Sequence, residues 1–89
     1  MPAISMFYGI VIYMYYNDVQ QHHLPHIHAI YQGEEAVMAI ENGDVLAGGM
    51  NARKLRMVQT WVDMRREDLL TDWELAKTGK EPVNIEPLR

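Results

Sequence analysis

Four histidines, all that the chain contains, lie within one short segment at His22, His23, His26 and His28. Imidazole changes its charge near neutral pH, because its unperturbed pKa is about 6.5, and it is the commonest metal-binding side chain. No other segment concentrates residues of this kind. A chemical site in this chain is therefore expected here.

The spacing His26-x-His28 favours a metal site. Residues two apart on a strand point to the same side of a sheet, so both imidazoles can bind one ion. His22 or His23 from the preceding loop, with a glutamate, would complete the ligands of a divalent transition metal. Cupin barrels carry similarly spaced histidines, but a chain of 89 residues is too short for that fold.

The same histidines also suit general acid–base catalysis. A metal-free ribonuclease needs a base for the 2′-hydroxyl, an acid for the leaving oxygen and a cation near the phosphate. His26 or His28, with Tyr13 or Tyr15 and an arginine, would supply these groups. The simplest interpretation is that the histidines are solvated or hydrogen-bonded strand residues, and the sequence leaves all three interpretations open.

A basic cluster formed by Arg53, Lys54 and Arg56 is a second candidate binding site, with phosphate as its ligand. Positive charge near the start of a helix opposes the macrodipole, so the cluster has a small local cost in stability. Acidic residues later in the same segment allow the alternative that the cluster is a solvated helix face.

The elements that position these residues begin with strands. β-branched, aromatic and apolar runs predict four of them, over residues 9–16, 26–31, 34–41 and 44–47. Gln32-Gly33 and Asn42-Gly43 are predicted to be two-residue turns between the last three strands. Asn-Gly is typical of the type I′ turn, in which both residues have positive φ.

Helical spacing of apolar residues predicts one long helix over residues 52–69, capped by Asn51. Thr71 to Glu74 form a capping-box pattern, which predicts a shorter helix that ends at Gly79. Residues 80–89 contain two prolines and are expected to lie extended. The prediction is a single α+β domain over residues 1–89, with its sheet in 9–48 and its helices in 51–79. The fold is an antiparallel meander of three to four strands with the long helix on one face.

The assumed turns set a register in which His28 lies opposite Val37, His26 opposite Ala39 and Ile40 opposite Val45. One face is then apolar and expected under the long helix; it carries Ile27, Ala29, Tyr31, Ala36, Met38, Ile40, Val45 and Ala47. The other face is mixed and expected to meet solvent, a ligand or a partner; it carries His26, His28, Ile30, Glu35, Val37, Ala39, Glu41 and Leu46.

The mixed face gains further candidate residues from its neighbours. Glu35 and Glu41 are predicted to be diagonal neighbours of His28 and His26, within reach of a long side chain. The first strand adds either Val11, Tyr13 and Tyr15 or the alternating set Ile10, Ile12, Met14 and Tyr16. The tyrosine set is preferred, because the aliphatic set makes the better core.

Composition limits the class of function. The chain has no cysteine, which excludes disulfides, thiolate nucleophiles and zinc–cysteine sites, and its net charge of −4 is atypical of a dedicated nucleic-acid binder. RNA is therefore a less favoured partner. The apolar run over residues 10–16 is far shorter than the ~20 residues that cross a bilayer, so a cytoplasmic protein without a membrane partner is expected. A domain of this size buries only about 60–65% of its unfolded surface, and a homodimer would add to its stability.

Several stretches resemble a small bacterial family known as domain of unknown function 4160. They are Met1-Pro2-Ala3-Ile4-Ser5, Phe7-Tyr8-Gly9, Tyr15-Tyr16-Asn17-Asp18, Pro25-His26-Ile27-His28-Ala29, Glu35-Ala36 and Ile85-Glu86-Pro87-Leu88. Ile27 replaces the usual aromatic residue between the two histidines, and His22-His23-Leu24 departs from the family's proline-rich approach. The resemblance implies a short bacterial cytosolic protein with a small protein partner encoded nearby, in an arrangement similar to toxin–antitoxin pairs. It implies no established activity.

Overall fold

A computed structural model describes residues 3–16 and 23–89 as a five-stranded antiparallel sheet with two helices. The strands are β1 (Ala3–Phe7), β2 (Ile10–Tyr13), β3 (His26–Tyr31), β4 (Glu34–Ala39) and β5 (Val45–Gly48). The helices are α1 (Ala52–Met64) and α2 (Arg66–Lys77). The strands lie in the sheet in chain order, so the α+β class and the meander are confirmed, with one strand more than predicted.

The additional strand is β1, which pairs with β2 through Met6 opposite Val11 and Phe7 opposite Ile10. A two-residue turn joins the two strands, and both of its residues have positive φ, 50° at Tyr8 and 81° at Gly9. Tyrosine is not a residue that typically marks such a turn. The sequence pattern therefore gives little sign of this hairpin.

The predicted register between β3 and β4 is confirmed: His26 lies opposite Ala39, His28 opposite Val37 and Ile30 opposite Glu35. The intervening turn has positive φ at both Gln32 and Gly33, 48° and 81°.

The predicted register between β4 and β5 is wrong, since Val45 lies opposite Met38 and not Ile40. β4 ends at Ala39, whose carbonyl accepts a hydrogen bond from the Gly43 amide at 2.8 Å. The Asn42 side chain accepts a bond from the Asp44 amide at 2.9 Å, which is an Asx turn. Val45, predicted to lie in the core, is 38% exposed.

The single long helix of the prediction is two helices, because Arg65 has non-helical backbone angles, φ −112° and ψ 19°. α2 begins directly after Arg65, with Glu67 and Asp68 in its first turn, where negative charge complements the helix dipole. Thr71 is consequently inside α2, and its hydroxyl donates to the Glu67 carbonyl at 3.1 Å. The capping box at Thr71 is therefore wrong, whereas Asn51 caps α1 as predicted.

Helix α1 packs on one face of the sheet, which we call the core face, and α2 contributes Leu69 and Trp73 to the same core. The buried side chains there are Ile4, Phe7, Ile10, Ile12, Met14, Ile27, Ala29, Ala36, Met38, Ile40, Val58, Trp61, Val62, Leu69, Trp73 and Ile85. Most of the predicted apolar face is this core face, although Val45 is exposed and Tyr31 is partly exposed. The prediction for Ala47 is wrong, because Ala47 lies opposite Val37 and therefore on the other face of the sheet.

The segment after α2 has no helix or strand, and it is held against the core by three hydrogen bonds. The Val83 amide donates to the Asp72 carboxylate at 2.9 Å and the Ile85 amide to the Ile4 carbonyl at 2.8 Å. The Trp61 indole donates to the Glu86 carbonyl at 2.7 Å. The segment thus completes the core beside β1.

Candidate functional site

The face of the sheet opposite α1, which we call the outer face, holds the candidate site. Side chains alternate between the two faces of a sheet, so the pairing of the strands assigns its members. They are Met6, Val11, Tyr13, His26, His28, Ile30, Glu35, Val37, Ala39 and Ala47, with Tyr15 just beyond the end of β2. The preference for the tyrosine set on this face is confirmed, because Ile10, Ile12 and Met14 are buried in the core.

At the centre of the outer face, His28 and Glu35 form a close pair. The His28 Nδ1 lies 2.6 Å from the Glu35 Oε2. An ionised carboxylate only accepts hydrogen bonds, so Nδ1 is the donor and the imidazole is held in one orientation. The diagonal contact predicted for Glu35 is thus present. A carboxylate that orients an imidazole is one of the arrangements that catalytic histidines use.

Two tyrosines extend this pair into an aromatic cluster. Tyr13 lies opposite His28 in the strand pairing, and its ring stacks on that of Tyr15, with 6.0 Å between centroids and 10° between planes. The Tyr15 ring meets the His28 ring edge-on, with centroids 4.4 Å apart. The structure therefore brings Tyr13, Tyr15, His28 and Glu35 together on one surface, as the sequence analysis expects.

His26 requires a correction. Its ring lies on the same side of β3 as that of His28, with centroids 5.4 Å apart, but the residue has no exposed surface. The Nδ1 donates to the Leu24 carbonyl at 2.7 Å, and the ring packs against Trp73 of α2 at 5.0 Å. Trp73 of α2 therefore covers His26 at the start of β3. The expectation that His26 meets solvent is therefore wrong, because the ring is packed among protein side chains.

Of the predicted metal ligands, the described part of the chain brings His26 and His28 together without a third. Among residues 3–16 and 23–89, no three His, Asp or Glu side chains are close enough to hold a metal ion. His23 is exposed, and Glu41 lies in the exposed turn after β4 and not on the strand. His22 lies outside the described residues.

The basic cluster occupies the start of α1, and it lies on the core-face side of the sheet. The Lys54 ammonium lies 5.1 Å from the centre of the Tyr31 ring, and Tyr31 packs against the core. His28 faces the opposite side. The ribonuclease hypothesis placed an arginine beside the histidines, and Arg53 and Arg56 are not brought to them.

Asp72 is a buried polar residue that the sequence analysis does not single out. It is 2% exposed and its Oδ1 accepts the Val83 amide, while its Oδ2 is buried with no hydrogen-bond partner among the described residues. Burial raises the pKa of this carboxyl above its ordinary value, the Val83 hydrogen bond lowers it, and the nearby Asp68 charge raises it further. An aspartate between Thr71 and Trp73 in a helix gives no pattern from which such burial can be predicted.

Comparison with known proteins identifies the family. The family model described as Domain of unknown function (DUF4160) matches residues 9–74, so the chain belongs to that family. No curated protein and no solved structure matches the chain. Within the described residues, neither helix combines the length and the apolar character needed to cross a membrane.

Proposed function

We propose that this member of the DUF4160 family is the protein-interaction component of a two-gene bacterial module of the toxin–antitoxin kind. In this proposal a small cytoplasmic protein encoded nearby binds the outer face. The observation that carries the proposal is the composition of that face. Aromatic and aliphatic side chains cover it, and Met6 is 66% exposed at its β1 edge.

The chemistry of the outer face suits a protein partner. Tyrosine and methionine are enriched in protein interfaces, and tyrosine contributes a large contact area with few rotatable bonds. Tyr13 and Tyr15 are already stacked, so little side-chain entropy is lost when a partner covers them. His28 and Glu35 add a polar centre that can position the partner. A second copy of this chain is the alternative occupant, and it would form a homodimer.

Co-expression with the product of the adjacent gene, followed by titration calorimetry, tests the proposal. We expect Met6→Gln and Tyr13→Ser to weaken the complex by about tenfold each, because each removes apolar contact area. Met64→Gln is the matched control, since Met64 is 58% exposed at the end of α1, away from the outer face.

Two results would overturn this proposal. One is a wild-type chain that does not bind the adjacent gene's product at micromolar concentration. The other is an equal loss of affinity in the Met64→Gln control. Light scattering on the isolated chain separates the alternatives, because a homodimer that Met6→Gln dissociates would identify the outer face as a self-association surface.

The His28–Glu35 hydrogen bond favours one alternative function, acid–base catalysis on RNA. His28→Ala and Glu35→Gln would both abolish cleavage of a labelled RNA, whereas Glu34→Gln at the neighbouring glutamate would leave it unchanged. Cleavage that survives His28→Ala would rule this alternative out. Metal analysis of the untagged protein tests the metal alternative in the same preparation, because His28→Ala would release a bound stoichiometric ion.

A further inference from the structure

The turn between β1 and β2 contains a residue that its backbone does not favour. Tyr8 has a φ of 50° and is followed by Gly9 with a φ of 81°, which is a conformation that Asn-Gly adopts with least strain. Residues other than glycine and asparagine are disfavoured in this left-handed region of positive φ. The Tyr8 ring is also 53% exposed, so burial in the core does not account for it. Neither the backbone conformation of the turn nor burial in the core therefore explains why residue 8 is a tyrosine.

The neighbour of Tyr8 is Lys54, at the start of α1. The Lys54 ammonium donates to the Tyr8 carbonyl at 3.3 Å and lies 5.9 Å from the centre of the Tyr8 ring. The same ammonium lies 5.1 Å from the centre of the Tyr31 ring. Lys54 therefore joins the exposed tyrosine to the surface of α1.

Beside Lys54 lies a groove of about 500 Å³, which is lined by Tyr31, Asn51, Ala52, Arg53, Lys54 and Arg56. This volume lies within the range of small-ligand sites, roughly 300–1,000 Å³. Among the described residues the ion pairs involve none of the three cations of the groove. Glu34 is the nearby carboxylate, and it accepts a hydrogen bond from the Asn51 amide at 3.2 Å.

The positive charge of the groove comes from side chains and not from the helix end. The Asn51 side chain accepts hydrogen bonds from the Arg53 and Lys54 amides at 3.0 and 3.2 Å, so these amides are already occupied. The first turn of α1 contains no acidic residue. Three cations there oppose the helix dipole, and an anionic ligand would relieve that repulsion.

We propose that this groove binds a nucleotide, with its phosphate on Arg53 and Arg56 and its base stacked on Tyr8. Tyr8 lies outside the groove's lining and contacts it through Lys54. Guanidinium groups bind phosphate through paired hydrogen bonds, and an exposed aromatic ring stacks on any base. The nucleotide is either free or part of a single strand, and the groove recognises the same phosphate and base in both. This site is separate from the outer face, so the inference does not depend on the proposed function.

Tyr8→Asn is the decisive substitution. It gives the turn its preferred residue and leaves the carbonyl that accepts from Lys54, so we expect a stability equal to or above that of the wild type. The same change removes the stacking ring, and we expect the affinity for a fluorescein-labelled oligoadenylate to fall about tenfold. Gln32→Asn is the matched control, because Gln32 has a φ of 48° in the corresponding turn before Gly33 and carries no ring. It should gain stability without loss of binding.

Adenosine monophosphate, inorganic phosphate and the oligoadenylate are titrated in parallel by fluorescence or NMR. Binding of the monophosphate as tight as that of the oligonucleotide indicates a free nucleotide, and much tighter binding of the oligonucleotide indicates a strand. Arg56→Gln should weaken both and reduce the salt dependence of oligonucleotide binding by about one charge.

The proposal is overturned if neither nucleotide ligand binds the wild type at about 1 mM. It is equally overturned if Tyr8→Asn binds as tightly as the wild type, or if inorganic phosphate binds as tightly as adenosine monophosphate. If the wild type binds no nucleotide and Tyr8→Asn is less stable than the wild type, Tyr8 has a structural function instead.

Discussion

Gly48 links the geometry of the sheet edge to the candidate site, and its substitution by alanine gives a direct test of the structure. The residue has a φ of +70°, and an added Cβ would collide with the backbone carbonyl oxygen of Glu35. That carbonyl also accepts the Gly49 amide at 3.0 Å, and the side chain of Glu35 holds His28. Gly48→Ala therefore disturbs β5, β4 and the outer face together.

Two contributions add to the expected loss of stability. An L-residue in the left-handed region costs about 1–2 kcal/mol. Moving β5 away from the Glu35 carbonyl adds about 1–3 kcal/mol, the usual range for an overpacked position. We expect Gly48→Ala to lower the free energy of unfolding by about 2–5 kcal/mol, which is a large part of the stability of a small domain.

Two other glycines separate these contributions. Gly33 has a φ of +81° with no atom within 4 Å of its added Cβ, so Gly33→Ala reports the backbone term alone, about 1–2 kcal/mol. The added Cβ of Gly49 also meets no atom within 4 Å, and its φ lies outside the left-handed region, so Gly49→Ala should be neutral or stabilising by up to about 1 kcal/mol.

Equilibrium urea unfolding of the three variants measures the series, and the NMR shifts of the His28 ring report on the site. Only Gly48→Ala should move the His28 signals. If Gly48→Ala is no more destabilising than Gly33→Ala, β5 does not closely approach the backbone of Glu35. In that case β5 also does not help to position Glu35 on the outer face.

Three further substitutions test the helices and the C-terminal segment. Asn51→Ala should lower the free energy of unfolding by about 1 kcal/mol in urea, because two amides of α1 lose their acceptor. Asp72 has a raised pKa in the folded state, so its contribution to stability is greatest at low pH and declines as pH rises from the ordinary value of 3.8 through the folded value. The stability of the wild type minus that of Asp72→Asn should therefore fall over this range in acid urea titrations, and a rise would contradict the assignment. Trp61→Phe removes the bond to the Glu86 carbonyl and should lower stability by about 1–3 kcal/mol, with faster amide exchange at Ile85.

The centre of the sheet could be predicted from sequence because local chemistry determines it. Gln32-Gly33 closes a two-residue turn, and side-chain alternation then fixes which residues share a face with His28. The contact with Glu35 follows from that register alone. At Asn42-Gly43 two local interactions compete, and the Asn42 side chain forms an Asx turn in place of the type I′ turn. The Asx turn and a bulge at Val37 and Met38 accompany the change in the register of β5.

Burial of His26 and Asp72 could not be predicted, because each depends on which elements pack together across the chain. His26 is covered by Trp73, which is distant in sequence, and Asp72 is enclosed where the segment after α2 returns to the core. The break at Arg65 has a similar origin. The apolar spacing continues through it, so periodicity alone does not distinguish one helix from two.

Strand β3 supplies residues to both proposed binding surfaces. Its side chains alternate between the two faces of the sheet, so the two surfaces lie on opposite sides. His28 faces the outer surface, whereas Tyr31 faces the side where α1 packs and lines the groove. A partner on the outer face therefore does not cover Lys54, and a nucleotide in the groove does not cover Tyr13. Substitutions at independent surfaces have additive effects, so Met6→Gln should leave nucleotide affinity unchanged and Arg56→Gln should leave partner affinity unchanged. Coupling between the two would mean that β3, the central strand, moves when either ligand binds, and would contradict this separation.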